Sequence, residues 1–170
     1  MMEQSTHEGS AWTTFVVLLV CAGLFTLTSA RYLPPIVASH FGASGQADGF
    51  MPRGAYVGVM LVVGVLAPLF TAVVPRRALR RPDARIHLPD PGYWLSAERR
   101  EATLGYLSRQ MVHFASMMAV FLAYVQALVV VANRASPPAL PMHGLTAGLL
   151  LYLASTLIWL VTLARHFRRR

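Results

Sequence analysis

Four long apolar stretches constrain this chain more than any other feature of its sequence. None of them carries Asp, Glu or Arg in its middle, and they run about Ala11–Ala30, Ala55–Pro75, Met111–Ala132 and Gly144–Ala164. A helix needs roughly 20 residues to cross about 30 Å of hydrocarbon, and each stretch is about that long. We therefore predict an all-α integral membrane protein whose four transmembrane helices form a bundle.

The composition supports this class and argues against others. Hydrophobic residues make up 55% of the chain and charged residues 13%, which is typical of membrane proteins. All fifteen basic residues are arginine, which together with abundant Ala, Val and Leu favours a bacterial source. The net charge of +8 does not predict a nucleic-acid partner, because the arginines lie beside apolar segments, as topology signals do.

The first apolar stretch is predicted to be a retained helix rather than a cleaved signal peptide. Small residues at 28–30 would suit a peptidase, but the residues before the stretch include Glu3 and Glu8 and no Arg or Lys. The apolar run is also longer than a typical signal core.

The placement of arginine predicts the orientation. The stretch between the second and third helices has eight arginines, which are Arg76, Arg77, Arg80, Arg81, Arg85, Arg99, Arg100 and Arg109. The tail adds Arg165, Arg168, Arg169 and Arg170, and the other two connections carry only Arg31, Arg53 and Arg134. By the positive-inside rule, we expect a multi-pass protein of the cytoplasmic (inner) membrane with both termini in the cytoplasm.

This topology divides the chain into five parts. They are a cytoplasmic N-terminus (1–10), a helix-loop-helix unit (11–75) with an outer loop (31–54), an arginine-rich cytoplasmic connection (76–110), a second helix-loop-helix unit (111–164) and a basic tail (165–170). In the connection, Pro82, Pro89 and Pro91 forbid a continuous helix, and Ser96 is predicted to cap a helical start. Its arginines either contact anionic lipid at the inner face or are simply solvated.

The two outer loops share a spacing of residues. One reads Arg31-x-x-Pro34-Pro35 with His40 five residues on, and the other reads Arg134-x-x-Pro137-Pro138 with His143 five residues on. The helices that follow open with the pairs Gly54/Gly58 and Gly144/Gly148, a spacing that lets helices approach closely. Either the two units are repeats or the likeness is a coincidence. If they are repeats, His40 and His143 are weak candidates for a metal site, with only Asp48 nearby to complete it.

The first outer loop also resembles a known family. Its Leu-Pro, His-aromatic and Gly-x-x-Asp elements, carried by Pro35, His40, Phe41, Gly45 and Asp48, are similar to the signature of the bacterial domain of unknown function 1648 family. The resemblance runs from about residue 15 to 74. It implies a helix, an outer loop and a second helix. The family includes immunity proteins of the sporulation-delaying toxin system, which resist a secreted peptide toxin and signal to a repressor.

The residues of this loop indicate a compact turn without reference to the family. Glycines at 42, 45 and 49 permit turns that would let His40 and Asp48 hydrogen-bond to one another. A tight hairpin with a purely structural role and a surface that recognises a ligand or partner are both compatible with this pattern.

Polar residues in the third helix form a stripe. At 100° per residue, the residues on one side are Tyr106, Arg109, His113, Ser116 and Tyr124, and Gln126 points elsewhere. Polar groups at membrane depth are costly against lipid, so we expect the stripe to face helices or water. His113 is interpreted either as a proton relay or sensor, or as a partner in an interhelical hydrogen bond. In the second helix, Pro68 predicts a bend or a hinge.

Three functions follow from these patterns. The leading hypothesis is a non-enzymatic membrane protein, without cofactor, whose outer loop senses or binds an extracytoplasmic peptide or partner, or which is a subunit of a membrane complex or a homo-oligomer. The second is a small transporter or channel with a polar path along helix three. The third is a membrane metal-binding protein that uses His40 and His143.

Overall fold

A computed structural model describes residues 2–81 and 86–168. The helices are α1 Met2–Ser29, α2 Arg53–Leu61, α3 Ala67–Leu79, a short α4 Pro91–Trp94, α5 Arg100–Ala132 and α6 Met142–Arg168, and the strands are β1 Ile36–Phe41 and β2 Ala47–Pro52. Of the residues discussed above, Pro82, Arg85, Arg169 and Arg170 lie outside the described part.

The prediction of an all-α protein with four membrane-length helices is confirmed. The spans that are long and apolar enough to cross a membrane are Gly9–Tyr32, Arg53–Leu79, Arg100–Ala132 and Met142–Arg168. Their outward faces carry exposed apolar side chains, such as Phe70 on α3 and Leu157 on α6. A soluble protein would bury such faces, whereas lipid is a suitable surrounding for them.

The second span departs from a regular helix, and the third extends beyond its apolar stretch. The second span is interrupted by a π-helical turn, Val62–Leu66, which joins α2 to α3 just before Pro68. Such turns occur where a helix locally changes its hydrogen bonding, as it must next to proline, which has no N–H. The third span begins at Arg100, before the apolar stretch at Met111, which confirms the helical start predicted next to Ser96.

The prediction that the Ser96 side chain caps the helix is wrong. The helix α5 starts after Arg99 without a side-chain cap. The backbone carbonyl of Ser96 instead accepts hydrogen bonds from the N–H groups of Arg99 and Arg100, at 3.0 and 2.9 Å. A turn of backbone therefore satisfies the donors that a serine hydroxyl was expected to satisfy.

Helix α5 is the element on which the others pack. It contacts α1, α3, α6 and β1. One apolar cluster joins α1, α3 and α5, with the fully buried Phe15 and Ala72 and the small residues Ala115 and Ala119 of α5. Stacked ring pairs, Phe114 with Trp159 and Phe121 with Tyr152, join α5 to α6.

The arrangement gives the molecule two unlike ends. The loops that join α1 to α2 and α5 to α6 lie at one end, which we call the hairpin end. The start of α5 and the end of α6, with most of the arginines, lie at the other, which we call the arginine-rich end. There, Tyr106 and Trp94 pack against His166 and Phe167 near the end of α6.

Candidate functional site

The first outer loop folds into an antiparallel β-hairpin. Strands β1 and β2 pair with the register Val37–Met51, Ala38–Phe50 and His40–Gly49. The chain reverses at Gly45, whose φ of 82° suits glycine and strains other residues. The sequence predicted the turn glycines but placed no strands here, because β1 and β2 are short and only partly alternating.

The inner face of the hairpin is fixed to the helices by apolar packing. Val37 is fully buried and packs in a cluster with Leu33, Tyr56, Val129 and Val130. Phe41 is half-buried against the same cluster. Phe41, one of the five residues that carry the family resemblance, therefore packs towards the helices.

Asn133, at the end of α5, holds β1 through its side-chain amide. Its Oδ1 accepts a hydrogen bond from the Ala38 N–H at 2.8 Å, and its Nδ2 donates to the Ala38 carbonyl at 3.0 Å. The amide thus pairs with β1 as a neighbouring strand would. Its Nδ2 also donates to the carbonyl of Val129, which closes the last turn of α5.

The second outer loop lies against the hairpin as a short strap, residues 138–140. The Ala47 N–H donates to the carbonyl of Pro138 at 3.3 Å, and the Leu140 N–H donates to the carbonyl of Gly45 at 2.8 Å. A side chain at Gly45 would collide with Met142 and approach the Leu140 carbonyl. The two outer loops therefore form one folded unit, and Gly45 is needed for their close approach.

A buried polar cluster lies beneath this unit. Tyr56 donates through its hydroxyl to Gln126 Oε1 at 2.6 Å, and Gln126 Nε2 donates to Ser29 Oγ at 3.0 Å. Gln126 is fully buried. One amide thus joins α1, α2 and α5. In the sequence Gln126 lies off the polar stripe of helix three, and no local pattern identified its partners.

The outer face of the hairpin carries the predicted contact between His40 and Asp48. The hydrogen bond between His40 Nδ1 and Asp48 Oδ1 is confirmed, at 2.5 Å. Both side chains are exposed, at 75% and 53%. Gly49 lies directly across from His40 and leaves no room for a Cβ there. The pair is therefore presented to the surroundings rather than used as core.

Apolar side chains accompany this pair on the outer face. Ile36 and Phe50 are each 57% exposed, and Pro35 is also exposed. The backbone carbonyl of Pro35 accepts a hydrogen bond from the Arg53 N–H at 2.9 Å, which closes the base of the hairpin. The outer face thus combines an ion pair with apolar groups on a backbone that is held from several sides.

The two arginines of the shared loop spacing lie on the same ring, whereas its two histidines have different surroundings. The guanidinium groups of Arg31 and Arg134 lie over the ring of Tyr32, at 4.7 and 4.8 Å from its centroid. His40 pairs with Asp48, whereas His143 lies exposed in the first turn of α6. Within residues 2–81 and 86–168, no three His, Cys, Asp or Glu side chains group as a metal site would require.

The glycine pairs that follow the loops also differ. The Tyr124 ring lies where a Cβ of Gly148 would be, and its hydroxyl donates to the carbonyl of Gly144 at 2.7 Å. No atom of the described residues lies within 4 Å of a Cβ built at Gly54 or Gly58. The close approach predicted for both pairs is therefore present within the chain only for the second.

The polar residues of helix three divide between two places. Arg109, His113 and Ser116 line a cavity of about 650 Å³ with Ser10 and Thr14 of α1. Tyr106 instead stacks on His166 of α6, with ring centroids 3.8 Å apart.

Comparison with known proteins identifies the first unit. The family described as "Domain of unknown function (DUF1648)" matches residues 17–66, which cover most of α1, the hairpin, α2 and the π-helical turn. No curated protein and no solved structure matches the chain. The resemblance predicted for the first unit is thus confirmed over residues 17–66, where the chain is similar to the DUF1648 family.

Proposed function

We propose that this chain is a non-enzymatic protein of the cytoplasmic membrane that binds an extracytoplasmic peptide or protein on the outer face of its hairpin. The observation that carries the proposal is the fixed hairpin that exposes His40 and Asp48 beside Ile36 and Phe50. An exposed hydrogen-bonded pair of side chains contributes little to stability, so its presence on so constrained a backbone is better explained by recognition.

The rigidity of the hairpin supports binding without a large entropic penalty. Its backbone is held by Asn133 on one side and by the strap on the other, and its inner face is packed on the helices. A surface that is already ordered loses little conformational freedom when a partner binds. Apolar groups beside a charged pair can supply both contact area and orientation for a peptide.

The orientation rests on the arginines. In the described residues the hairpin end carries Arg31, Arg53 and Arg134, and the other basic side chains lie towards the opposite end. The positive-inside rule favours the arginine-rich end in the cytoplasm and the hairpin outside. An extracytoplasmic partner would then reach the outer face directly.

Photo-crosslinking in the native membrane tests the binding proposal. A photoreactive residue at Phe50 is expected to give one discrete adduct, identified by mass spectrometry, that is lost with Asp48→Asn or His40→Ala. The matched controls are Ser44→Ala, which changes another exposed residue of the hairpin, and a photoreactive residue at Leu157 on the lipid-facing side of α6. An adduct at Phe50 that persists unchanged in both Asp48→Asn and His40→Ala, or no adduct at all, would contradict the proposal.

The transport hypothesis needs a continuous polar path, and the cavity supplies only part of one. Beyond Ser116 the groove is lined mainly by apolar side chains, including Val120 and Phe121. Transport stays a prediction, and solute or ion flux into liposomes with wild type and His113→Ala is the measurement that tests it.

A further inference from the structure

A single groove runs along α5 between α1 and α6. Its polar part is the cavity that contains Arg109 and His113 and is lined by α1 and α5, and its apolar part, of about 580 Å³, is lined by α1, α5 and α6. The two parts share Ser116 and Met117, so they are continuous. The groove is polar and basic at one end and apolar over the rest, so it matches a lipid molecule, which has a polar head group and an apolar chain.

The groove is longer than the hydrocarbon of one leaflet and so has room for a lipid's acyl chain. It extends along α5 from Arg109 to Tyr124, which is about 22 Å at 1.5 Å per residue. One leaflet contributes about 15 Å of hydrocarbon, half of a core of about 30 Å. An acyl chain that starts near Arg109 can therefore lie within the groove over its full length.

The charge at the polar end selects the head group. Among the side chains that the structure describes, no Asp or Glu lines the cavity and Arg109 has no ion-pair partner. Ser10 and Thr14 lie on the opposite wall, where the Thr14 hydroxyl donates to the carbonyl of Ser10 at 3.0 Å, so the hydroxyl group considered for the ligand is that of Ser10. A guanidinium group with a hydroxyl nearby is well suited to bind phosphate oxygens.

Two hydroxyl groups farther along the groove already donate hydrogen bonds within the protein. Ser155 donates to the carbonyl of Leu151, and Tyr124 donates to Gly144. The ring of Tyr152 stacks on Phe121 at 4.6 Å. The hydroxyls of Ser155 and Tyr124 therefore place little demand on an occupant, and an alkyl chain can cover their part of the groove.

We propose that the groove binds one anionic glycerophospholipid from the leaflet at the arginine-rich end. Its phosphate contacts Arg109, with Ser10 and Thr14 close by, and an acyl chain lies between α1 and α6 beside Val120 and Ala147. This site is separate from the hairpin, so its occupancy does not depend on the recognition function proposed above.

Native mass spectrometry of the purified full chain tests this site. The protein is titrated with phosphatidylglycerol and, separately, with phosphatidylcholine of the same acyl chains. We expect one phosphatidylglycerol molecule to bind at least about tenfold more tightly than phosphatidylcholine, because the guanidinium group favours a net anionic head group. Equal binding of the two lipids would overturn the proposal, as would a protein dimer that forms without any lipid adduct.

Substitutions at the polar end of the groove test whether Arg109 contacts the lipid phosphate. Arg109→Gln should abolish the preference for phosphatidylglycerol, whereas Arg109→Lys should keep most of it. Arg77→Gln is the matched control, because it removes the same charge from an exposed position at the same end but outside the groove. Loss of the preference in Arg77→Gln to the same extent as in Arg109→Gln would show a general surface effect and contradict a specific site. Inorganic phosphate that competes fully with the lipid would contradict the need for an acyl chain.

A substitution in the apolar part tests the chain position. Ala147→Trp fills the groove and should reduce phosphatidylglycerol binding by about tenfold, whereas Leu157→Trp on the outward face of α6 should leave it unchanged. Thermal unfolding of both variants shows whether the fold is kept. Folded Ala147→Trp that binds the lipid as wild type does would overturn the proposal.

Discussion

The two helix-loop-helix units share a spacing of Arg, Pro and His, yet α5, which belongs to the second unit, contacts the first unit and its own partner helix α6 by different means. The first unit is tied to α5 by hydrogen bonds, through Gln126 beneath the hairpin and Asn133 beside β1. The partner helix α6 instead receives the Tyr124 ring in the space left by Gly148. The pattern shared by the loops therefore does not determine how either unit is attached. Buried side-chain hydrogen bonds add to apolar packing at the first junction, and at the second the Tyr124 ring fits against Gly148 while its hydroxyl donates to Gly144.

The matched glycine pairs test this difference most strongly. Gly148→Leu should lower the free energy of unfolding by about 3 kcal/mol, because the added side chain must displace the Tyr124 ring. Gly58→Leu should change it by less than about 0.5 kcal/mol, because its position is open within the described chain. Unfolding in mixed detergent measures both. Equal losses at the two positions would remove the steric distinction between the units.

The buried amide tests the polar junction. Gln126→Leu should cost about 2 kcal/mol, because it leaves the Tyr56 hydroxyl and Ser29 without the partner that they share. This exceeds the average of about 0.6 kcal/mol for an interhelical hydrogen bond in a membrane, since one fully buried side chain makes two of them. Gln110→Leu, at a half-buried position of the same helix, is the control. A smaller loss at Gln126 than at Gln110 would show that the cluster does not hold the helices together.

The attachment of the hairpin is expected to have a smaller effect. Asn133→Ala should cost about 1 to 2 kcal/mol, because the Ala38 N–H and carbonyl lose their side-chain partner. Hydrogen exchange should show faster exchange at the Ala38 amide and little change in α1. If protection at that amide stays at the wild-type level, the hairpin is held by its apolar packing alone.

The exposed pair should contribute least to the fold. His40→Ala is expected to change the free energy of unfolding by no more than about 0.5 kcal/mol, because exposed ion pairs are weak. The same denaturation measurement checks it. A loss as large as that in Asn133→Ala would assign His40 and Asp48 to the hairpin's stability and weaken the case for recognition.

Local patterns in the sequence predicted what is local in the structure. Apolar run length predicted the four spans, and the glycines around Asp48 predicted its hydrogen bond to His40. Asn133 and Ala38, in contrast, are 95 residues apart, so no spacing along the chain could pair them. The docking of the strap on Gly45 was missed for the same reason.

The candidate site was predictable only in its residue types. Its exposed members, His40 and Asp48, stood out as polar groups between two apolar spans. Phe41 belongs to the same motif but packs inward, because alternation along β1 turns it towards the helices. Which of these side chains faced outward depended on the strand register, which the sequence left open.

Labelling of single cysteines from the two sides of the membrane tests whether the chain crosses the membrane four times with its hairpin outside. In a Cys21→Ser background, cysteine is introduced at Phe50 on the hairpin or at Ala78 near the end of α3, both of which are exposed. We predict that a membrane-impermeant maleimide labels the first in intact cells and labels the second only after the membrane is permeabilised. Labelling of both positions in intact cells, or of the Ala78 position alone, would contradict a four-span protein with its hairpin outside and its arginines in the cytoplasm.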